Sequence, residues 1–352
     1  MLRGAIVGLG NVAVHAHLPG WLQRSDVEIV AATDTLPTRR AAAEALLPGA
    51  RWHDSAAELM ARGDLDFVDI CTPPSSHAGL IRTALQRGLH VLCEKPLVCS
   101  VDELAALARL AAARDRVLHT VHNWHYAPII QRTWTLLRDG AIGQVRRVVW
   151  QTLRTKPADG GDERNGNWRV NPDVAGGGIL TDHGWHIFYV LQRWIGQRPT
   201  SISATLETRQ HTQWPVEDTA TLRLTFPEAT AEVLLTWASN VRRTWAEVTG
   251  TEGTIRLEDG TLVLKRSGRE RLERRWTCRP GLSEGSHHPD WFHTAADHFL
   301  AAVNGLSPRT ANLAEASLCV TLEALARESN HRGQALSLSP LSVPLPGPES
   351  SL

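Results

Sequence analysis

The chain opens on Met1-Leu2-Arg3-Gly4-Ala5-Ile6-Val7-Gly8-Leu9-Gly10-Asn11-Val12-Ala13, and the reading of these residues decides the fold. Residues 2–7 are an apolar, β-branched run, residues 12–24 carry a helical apolar pattern, and G-x-G-x-x-A lies at the junction. Gly8 permits a tight turn, Gly10 lets the backbone approach a pyrophosphate, and Ala13 allows the helix to pack closely on the sheet. Asn11 and Val12 open the helix, whose N-terminus offers unpaired N–H groups to an anion. Taken without its strand and helix the pattern would be weak.

Outward from this turn, strands read at 27–33, 67–71, 90–93 and 117–121 alternate with helices at 38–47, 76–87 and 101–114. Such alternation predicts a doubly wound parallel sheet with helices on both faces. Near residue 123 the pattern changes. A helix at 129–138, a strand at 145–154 and a helix at 182–194 precede short strands at 201–208, 219–226, 231–238, 246–250, 254–258 and 262–265. Thr219, Thr221, Arg223 and Thr225 alternate with Ala220, Leu222, Leu224 and Phe226, as in a sheet with one apolar face. Helices at 291–304 and 313–328 follow. The expected fold class is α/β plus α+β: a Rossmann domain at 1–122, a second domain at 123–337 on a mainly antiparallel open sheet, and a mobile Pro- and Ser-rich tail at 338–352. Two polar, Gly-rich loops, 158–167 and 279–289, read as surface excursions or as lids beside a site.

Composition narrows the function classes. The 352 residues suit two domains at roughly 150 residues each, and 42% apolar with 21% charged residues excludes disorder as the main state. Lys plus Arg equals Asp plus Glu at 37 each, so neither a nucleic acid nor a membrane is an expected partner. Cys71, Cys93, Cys99, Cys278 and Cys319 make no C-x-x-C pair and read as free thiols of a reducing compartment. The N-terminus has no basic region, long apolar core or cleavage site, and no apolar run approaches 18 residues, so a cytoplasmic location is expected. Lys95, Lys156 and Lys265 are the only lysines, the remaining 34 of 37 cations being arginine. By the count alone such a lysine reads either as a place where an ammonium of tunable pKa is wanted or as a survivor of base-composition bias.

Asp34 ends the second strand, 24 residues after Gly10, where a carboxylate would accept the adenosine ribose hydroxyls and repel a 2′-phosphate. NAD is therefore the expected cofactor, with NADP left open because Arg39 and Arg40 stand near enough in sequence to offset that repulsion. Thr72-Pro73-Pro74 ends another strand, Ser75 and Ser76 read as helix caps, and His77, which begins the next helix, reads alone as a surface residue; Thr72, Pro73 and His77, with Glu94 and Lys95 below, are further candidate cofactor contacts. Glu94-Lys95-Pro96 ends the strand after that, at the same sheet edge.

With this triplet in place the chain resembles the glucose-fructose oxidoreductase / inositol dehydrogenase / MocA family of nicotinamide-dependent oxidoreductases. The resemblance runs through the Gly8 to Ala13 turn, Thr72-Pro73, Glu94-Lys95-Pro96, Trp168-Arg169, and Gly176-Gly177-Gly178-Ile179-Leu180-Thr181-Asp182-His183-Gly184-Trp185-His186. It implies catalytic roles for Lys95, Asp182 and His186, a sugar, polyol or sugar-derived substrate bound by the second domain, and pairing of the open sheets into homodimers or homotetramers. The residues permit the same chemistry on their own terms. Oxidising a secondary alcohol requires a proton to leave oxygen as hydride leaves carbon; His186 would be the base, Lys95 the polarising donor, and Asp182, four residues from His186, its orienter. The competing reading is a core helix whose polar pair is satisfied locally. Asn123, His125, Trp168, Arg169 and His183 are candidate substrate contacts, with Tyr126, His287 and His288 nearby candidates. Histidine near 125 and Tyr189 depart from the family pattern, which bears on the substrate and is expected to leave the proton transfer untouched.

Histidines 119, 122 and 125 recur every third residue, but strand alternation at 117–121 should split them, and neither C-x-x-C nor H-E-x-x-H accompanies them, so no metal is expected. Two other readings remain. One is a glycoside hydrolase that uses bound NAD for transient oxidation and elimination, which the resemblance implies is open to this family; the other is a nonenzymatic dinucleotide-binding sensor, which should tolerate loss of Lys95 or His186.

Overall fold

The computed structural model describes residues 1–160, 166–266 and 272–338; the centre of loop 158–167 and the tail from 339 onward lie outside the described residues. The first half runs β1 Leu2–Val7, a π-helical turn Ala13–His17 leading into α1 Leu18–Leu22, β2 Val27–Thr33, α2 Arg40–Leu46, β3 Arg51–Trp52, α3 Ala56–Met60, β4 Phe67–Ile70, α4 His77–Gln86, β5 His90–Cys93, α5 Val101–Ala113 and β6 Leu118–Thr120. Its strands pair in parallel in the order β3-β2-β1-β4-β5-β6. Residues 5–7, 67–70 and 91–93 are buried without alternation, because helices cover both faces of the sheet. Chain direction across the sheet reverses between β1 and β4, which opens a crevice above their carboxyl ends. Gly8 turns there at φ +91°, and a Cβ would stand 2.9 Å from the carbonyl carbon of Cys71, so the turn requires glycine. The brief β3 and α3 carry too little periodicity to have been expected.

The second half contains α6 Pro128–Arg138, β7 Val145–Leu153, α7 Pro172–Ala175, a π-helical turn Leu180–Gly184 continuing into α8 Trp185–Ile195, β8 Ser201–Glu207, β9 Thr219–Thr225, β10 Thr230–Thr236, β11 Arg243–Gly250, β12 Gly253–Glu258, β13 Thr261–Arg266, β14 Leu272–Thr277, α9 Pro289–Val303, α10 Ala311–Arg332 and β15 Leu336–Ser337. Nine strands form one sheet in the order β14-β13-β12-β11-β7-β10-β9-β8-β15. It is mixed, since β7 and β10 run parallel while the other pairs are antiparallel. Leu222 faces Val233 and Leu224 faces Ala231 on the buried side, which α8 and α10 cover. Thr221, Arg223 and Glu232 point to the other, open side.

One close approach anchors the Gly run within the second half, and one helix binds the two halves together. Gly178 lies so close to the 217 segment that a Cβ would meet the Glu217 carbonyl oxygen at 2.0 Å, and the Ile179 N–H donates to that same oxygen at 3.1 Å. This fixes the Gly run beneath the helix that follows. Helix α9, although late in the chain, packs on the first sheet: Phe292, Ala296 and Phe299 share a buried cluster with Ile6, Leu18, Trp21 and Phe67. Phe292 stacks on His17 with ring centroids 3.9 Å apart. No helix among the described residues is long and apolar enough to cross a membrane.

Candidate active site

A cleft of about 700 Å³ lies between the carboxyl edge of the first sheet and the second domain. At one end Gly8, Gly10, Asn11 and Val12 line it with the first turn of the helix, whose N–H groups have no intrahelical acceptors. A Cβ on Gly10 would meet only Arg39 Nη1, at 3.6 Å, so the backbone is open to close approach. Asp34 is braced at this end. Its Oδ2 accepts the Leu9 N–H at 2.6 Å and Arg39 Nη1 at 2.8 Å, and Oδ1 accepts the Leu36 N–H at 2.8 Å. Arg40 turns away to Glu44 at 2.8 Å. Glycine turn, free N–H groups and an acid ending β2 together fit a dinucleotide.

Thr72, Pro73, Glu94 and Lys95 line the same cleft, but His77 does not. Its ring is fully buried, with Nδ1 2.8 Å from the Pro96 carbonyl and Nε2 2.8 Å from the Thr72 carbonyl. Burial lowers its pKa, and a neutral ring donates to only one of these oxygens. His77 therefore ties two site loops together and is neither a cofactor contact nor a surface residue. Ser76 also differs from expectation: its hydroxyl bonds Thr72 Oγ1 and the Pro73 carbonyl and does not cap α4.

Beneath the cleft His17 joins two carboxylates, with Nδ1 2.9 Å from Asp69 Oδ2 and Nε2 3.0 Å from Glu94 Oε1. Trp21 Nε1–H donates to the same Asp69 oxygen at 2.8 Å, and Cys71 Sγ lies 3.1 Å from Nδ1. Burial opposes the imidazolium, but Asp69 and Cys71 outweigh it and raise the pKa of His17 well above its ordinary value. Glu94 Oε2 accepts the Lys95 N–H at 3.0 Å, so this buried unit holds the backbone of the site lysine.

Lys95 Nζ reaches across to the second domain and donates to the Asp182 carbonyl at 2.6 Å and its Oδ1 at 3.3 Å. Arg169 Nε and His183 Nε2 approach the same carboxylate at 3.9 and 3.6 Å. Burial would raise the Asp182 pKa; the Lys95 ammonium, with the Arg169 guanidinium near it, holds it well below the usual carboxylate range. Asp182 is thus claimed by cations, and no bond joins it to His186 among the described residues. This corrects the expected orienting pair. His186 Nδ1 lies instead 2.8 Å from Tyr189 Oη, which accepts the Trp124 N–H at 3.1 Å. Burial, with the Lys95 ammonium adding repulsion, lowers the His186 pKa well below 6.5 and keeps the ring neutral. Tyr189, read from the sequence as a departure bearing only on the substrate, therefore touches His186, the residue expected to take the proton. Trp124, also unforeseen, stacks on His186 at 4.6 Å and 8°.

Asn123, Trp168, Arg169, His183, His287 and His288 all line the cleft, and Arg169 lies over the Trp168 ring at 4.3 Å. Burial carries the His183 pKa down to about 3 against the pull of Asp182. Both Gly-rich loops border this cavity in their described parts. His125 is a correction: it is buried behind the cleft, where Nε2 meets Glu315 Oε2 at 3.0 Å. His122 Nδ1 meets the same oxygen at 3.0 Å, so two of the three spaced histidines do converge, and His119 stands outside the group. Trp185 Nε1–H donates to His122 Nε2 at 3.0 Å, which places the His122 proton on Nδ1, toward the carboxylate. As described, the Glu315 carboxylate takes hydrogen bonds from the two rings, and a metal on His122 Nδ1 would need that proton moved to Nε2, against the indole N–H.

Comparison with known proteins agrees with this geometry. Residues 2–122 match the model of the oxidoreductase family with an NAD-binding Rossmann fold, and residues 130–256 match the GFO/IDH/MocA C-terminal domain. The chain belongs to the Gfo/Idh/MocA family of NAD(P)-dependent oxidoreductases. It is 31% identical to D-apiose dehydrogenase of Paraburkholderia graminis over 268 residues, covering 72% of this chain and 67% of that protein. Over 262 residues it is 29% identical to dTDP-3,4-didehydro-2,6-dideoxy-alpha-D-glucose 3-reductase of Streptomyces antibioticus, covering 73% and 75%. In fold it is similar to an Agrobacterium radiobacter oxidoreductase solved with NAD+, L-tartaric acid and magnesium, at TM-score 0.82 and 24% identity, covering 96% and 98%.

The His17 unit has a measurable pH signature. A folded pKa raised above the unfolded value near 6.5 contributes stability that is fully present below that value and is lost as pH rises through the folded pKa. In urea titrations, wild type should lose stability relative to His17→Asn as pH rises above about 7. Parallel pH dependences for the two proteins would contradict a buried imidazolium.

Proposed function

We propose that the chain transfers hydride between a secondary alcohol of a sugar, polyol or sugar derivative and nicotinamide, with Lys95, Asp182 and His186 as the catalytic group. The observation that carries this reading is that Lys95, from the dinucleotide-binding half, shares one cleft with Asp182 and His186 from the other half, Lys95 bonding the Asp182 carbonyl at 2.6 Å. Bound NAD(P) supplies the hydride acceptor or donor. Asp34 favours NAD, and Arg39 beside it at 2.8 Å leaves room for NADP.

Lys95 spends two N–H groups on Asp182 and keeps a third for the substrate oxygen, whose pKa the ammonium lowers. Asp182 keeps that ammonium charged and aimed. His186 takes the alcohol proton at Nε2, while Nδ1–H donates to Tyr189 Oη. Trp124, stacked on the ring, restricts its orientation. The D-apiose and dTDP-sugar enzymes among the relatives support a sugar-like substrate.

Lys95→Met and His186→Ala should each lower turnover by about two to four powers of ten with NAD affinity little changed, as read by NADH absorbance and cofactor titration. An equal loss of cofactor binding would mean that the roles are wrong, full turnover without them would remove both from the catalytic group, and cofactor binding with no turnover by the wild type would favour the sensor reading. Tyr189→Phe removes the acceptor of Nδ1–H, which should lower the apparent pKa on the acid side of the alcohol-oxidation profile. An upward shift would show the phenol donating to Nδ1, a form in which Nε2 is not a base.

We further propose that the open face of the nine-stranded sheet, with Arg223 and Glu232 among its residues, pairs with a second subunit. Light scattering after size exclusion should give a dimer or tetramer at micromolar concentration; a monomer would remove this reading.

A further inference from the structure

The proton-transfer reading leaves the most heavily cationic wall of the cleft unused. Arg154 follows β7 and is 2% exposed. Its Nη1 donates to the carbonyls of Leu153 and Arg243 at 2.9 and 3.1 Å and to Ser283 Oγ at 3.2 Å. Nη2 donates to Thr244 Oγ1 at 3.1 Å and the Leu282 carbonyl at 3.4 Å, while Nε is buried without an acceptor. Arg242, at the edge of β11, donates from Nε to the Ser283 carbonyl at 3.0 Å and from Nη2 to the Gly285 carbonyl at 2.6 Å and Ser286 Oγ at 3.3 Å. No bond is made by its Nη1 among the described residues. Every acceptor named here is neutral. Among the described residues no carboxylate forms an ion pair with either guanidinium, although both line the cleft.

This imbalance is local. Lys95 is matched by Asp182 at 3.3 Å and Lys156 by Asp159 at 3.1 Å, and Arg169 shares Asp182 at 3.9 Å. Arg154 and Arg242 are the excess. Burial drives the Arg154 pKa down to about 10, and Arg242 adds repulsion; the carboxylates that act on it are the more distant Asp259 and Asp182. A buried charge without a counter-ion is unfavourable, and a ligand that supplies one relieves it. The pair belongs to the Asp182 and His183 end of the cavity, since both guanidinia act on the His183 ring, and not to the glycine turn that suits a pyrophosphate.

We propose that the substrate carries an anionic oxygen group, the carboxylate of a sugar acid or the phosphoryl group of a sugar ester, seated against Arg154 and Arg242. This inference rests on the hydride-transfer reading for its substrate class and adds to it the sign of the substrate's charge. A forked guanidinium suits either group; Arg242 Nη1 holds the donor left over, and Arg154 adds its uncompensated charge to the same wall.

The test compares matched ligands on the cofactor-loaded enzyme: D-glucuronate and D-gluconate against D-glucose and D-glucitol, with D-glucose 6-phosphate as the phosphoryl arm. Calorimetry with the nicotinamide cofactor measures binding, and NADH absorbance measures turnover. Acid or phosphate should exceed its neutral partner by roughly 10- to 100-fold in affinity or kcat/KM, the range of a charge-assisted contact. Whichever arm binds identifies the group. Arg242→Met should reduce that ratio at least tenfold and Arg242→Lys by less, in variants whose melting shows them folded. Neutral ligands equal to or better than the acids, no saturable binding by any acid or phosphate, or an Arg242→Met variant that lowers both classes together would overturn the proposal; the last would make the pair a clamp for the 282–286 loop. Charge-selective binding without hydride transfer would uphold the anion site and sink the dehydrogenase reading, whereas turnover of neutral sugars alone would do the reverse.

Discussion

One ammonium crossing from one sheet to the other organises this molecule. Lys95 leaves the carboxyl end of β5 and meets the carbonyl and carboxylate of Asp182 at 2.6 and 3.3 Å, at the head of α8. Below it, Glu94 holds the lysine backbone and is itself held by His17 and, through His17, by Asp69. On the far side, the Gly run that presents Asp182 is pressed against residue 217. A small displacement of either sheet would separate the pair, so the architecture on both sides acts as a brace for a single contact.

Much of this was legible in the residues because parallel sheets and nucleotide turns are local patterns. The run from Leu2 to Ala13 carries strand, turn and helix in consecutive residues, and the alternation at 219–226 gives the inward face of β9 directly. What escaped was either short or non-local. Arg51–Trp52 pairs over two residues, and Leu272–Thr277 is a charged edge strand whose exposed side hides the alternation. Trp124 and Glu315 enter the site or its backing through contacts that no spacing announces, whereas Tyr189 meets His186 at the i, i+3 spacing of one helix face. The i, i+4 rule correctly put Asp182 and His186 in one region but could not foresee that a lysine 87 residues away would take the carboxylate. His77 and His125 failed for a related reason. A histidine next to a motif looks available, and its burial depends on which carbonyl or carboxylate reaches it.

The electrostatics divide the cleft into regions with different tasks. At the turn, Asp34 and Arg39 form a compact acid-base couple against the glycine backbone. In the middle, Asp182 stays ionised while His183 and His186 stay neutral, because the same burial acts oppositely on carboxylates and imidazoles and only the carboxylate has cations close enough to overcome it. Farther out, Arg154 and Arg242 lean on backbone carbonyls. Backbone dipoles can solvate a guanidinium without cancelling its charge, so that wall keeps a positive field.

Helix α9 has a consequence for how the protein comes into being. Phe292, Ala296 and Phe299 complete the packing around Trp21 and Phe67, so a nascent chain cannot cover that side of its first sheet when the sheet's last strand leaves the ribosome. The amino-terminal layers must wait, partly bare, until residue 303 has emerged. The last layer of the nucleotide-binding half is therefore added late in synthesis despite that half's early place in the gene.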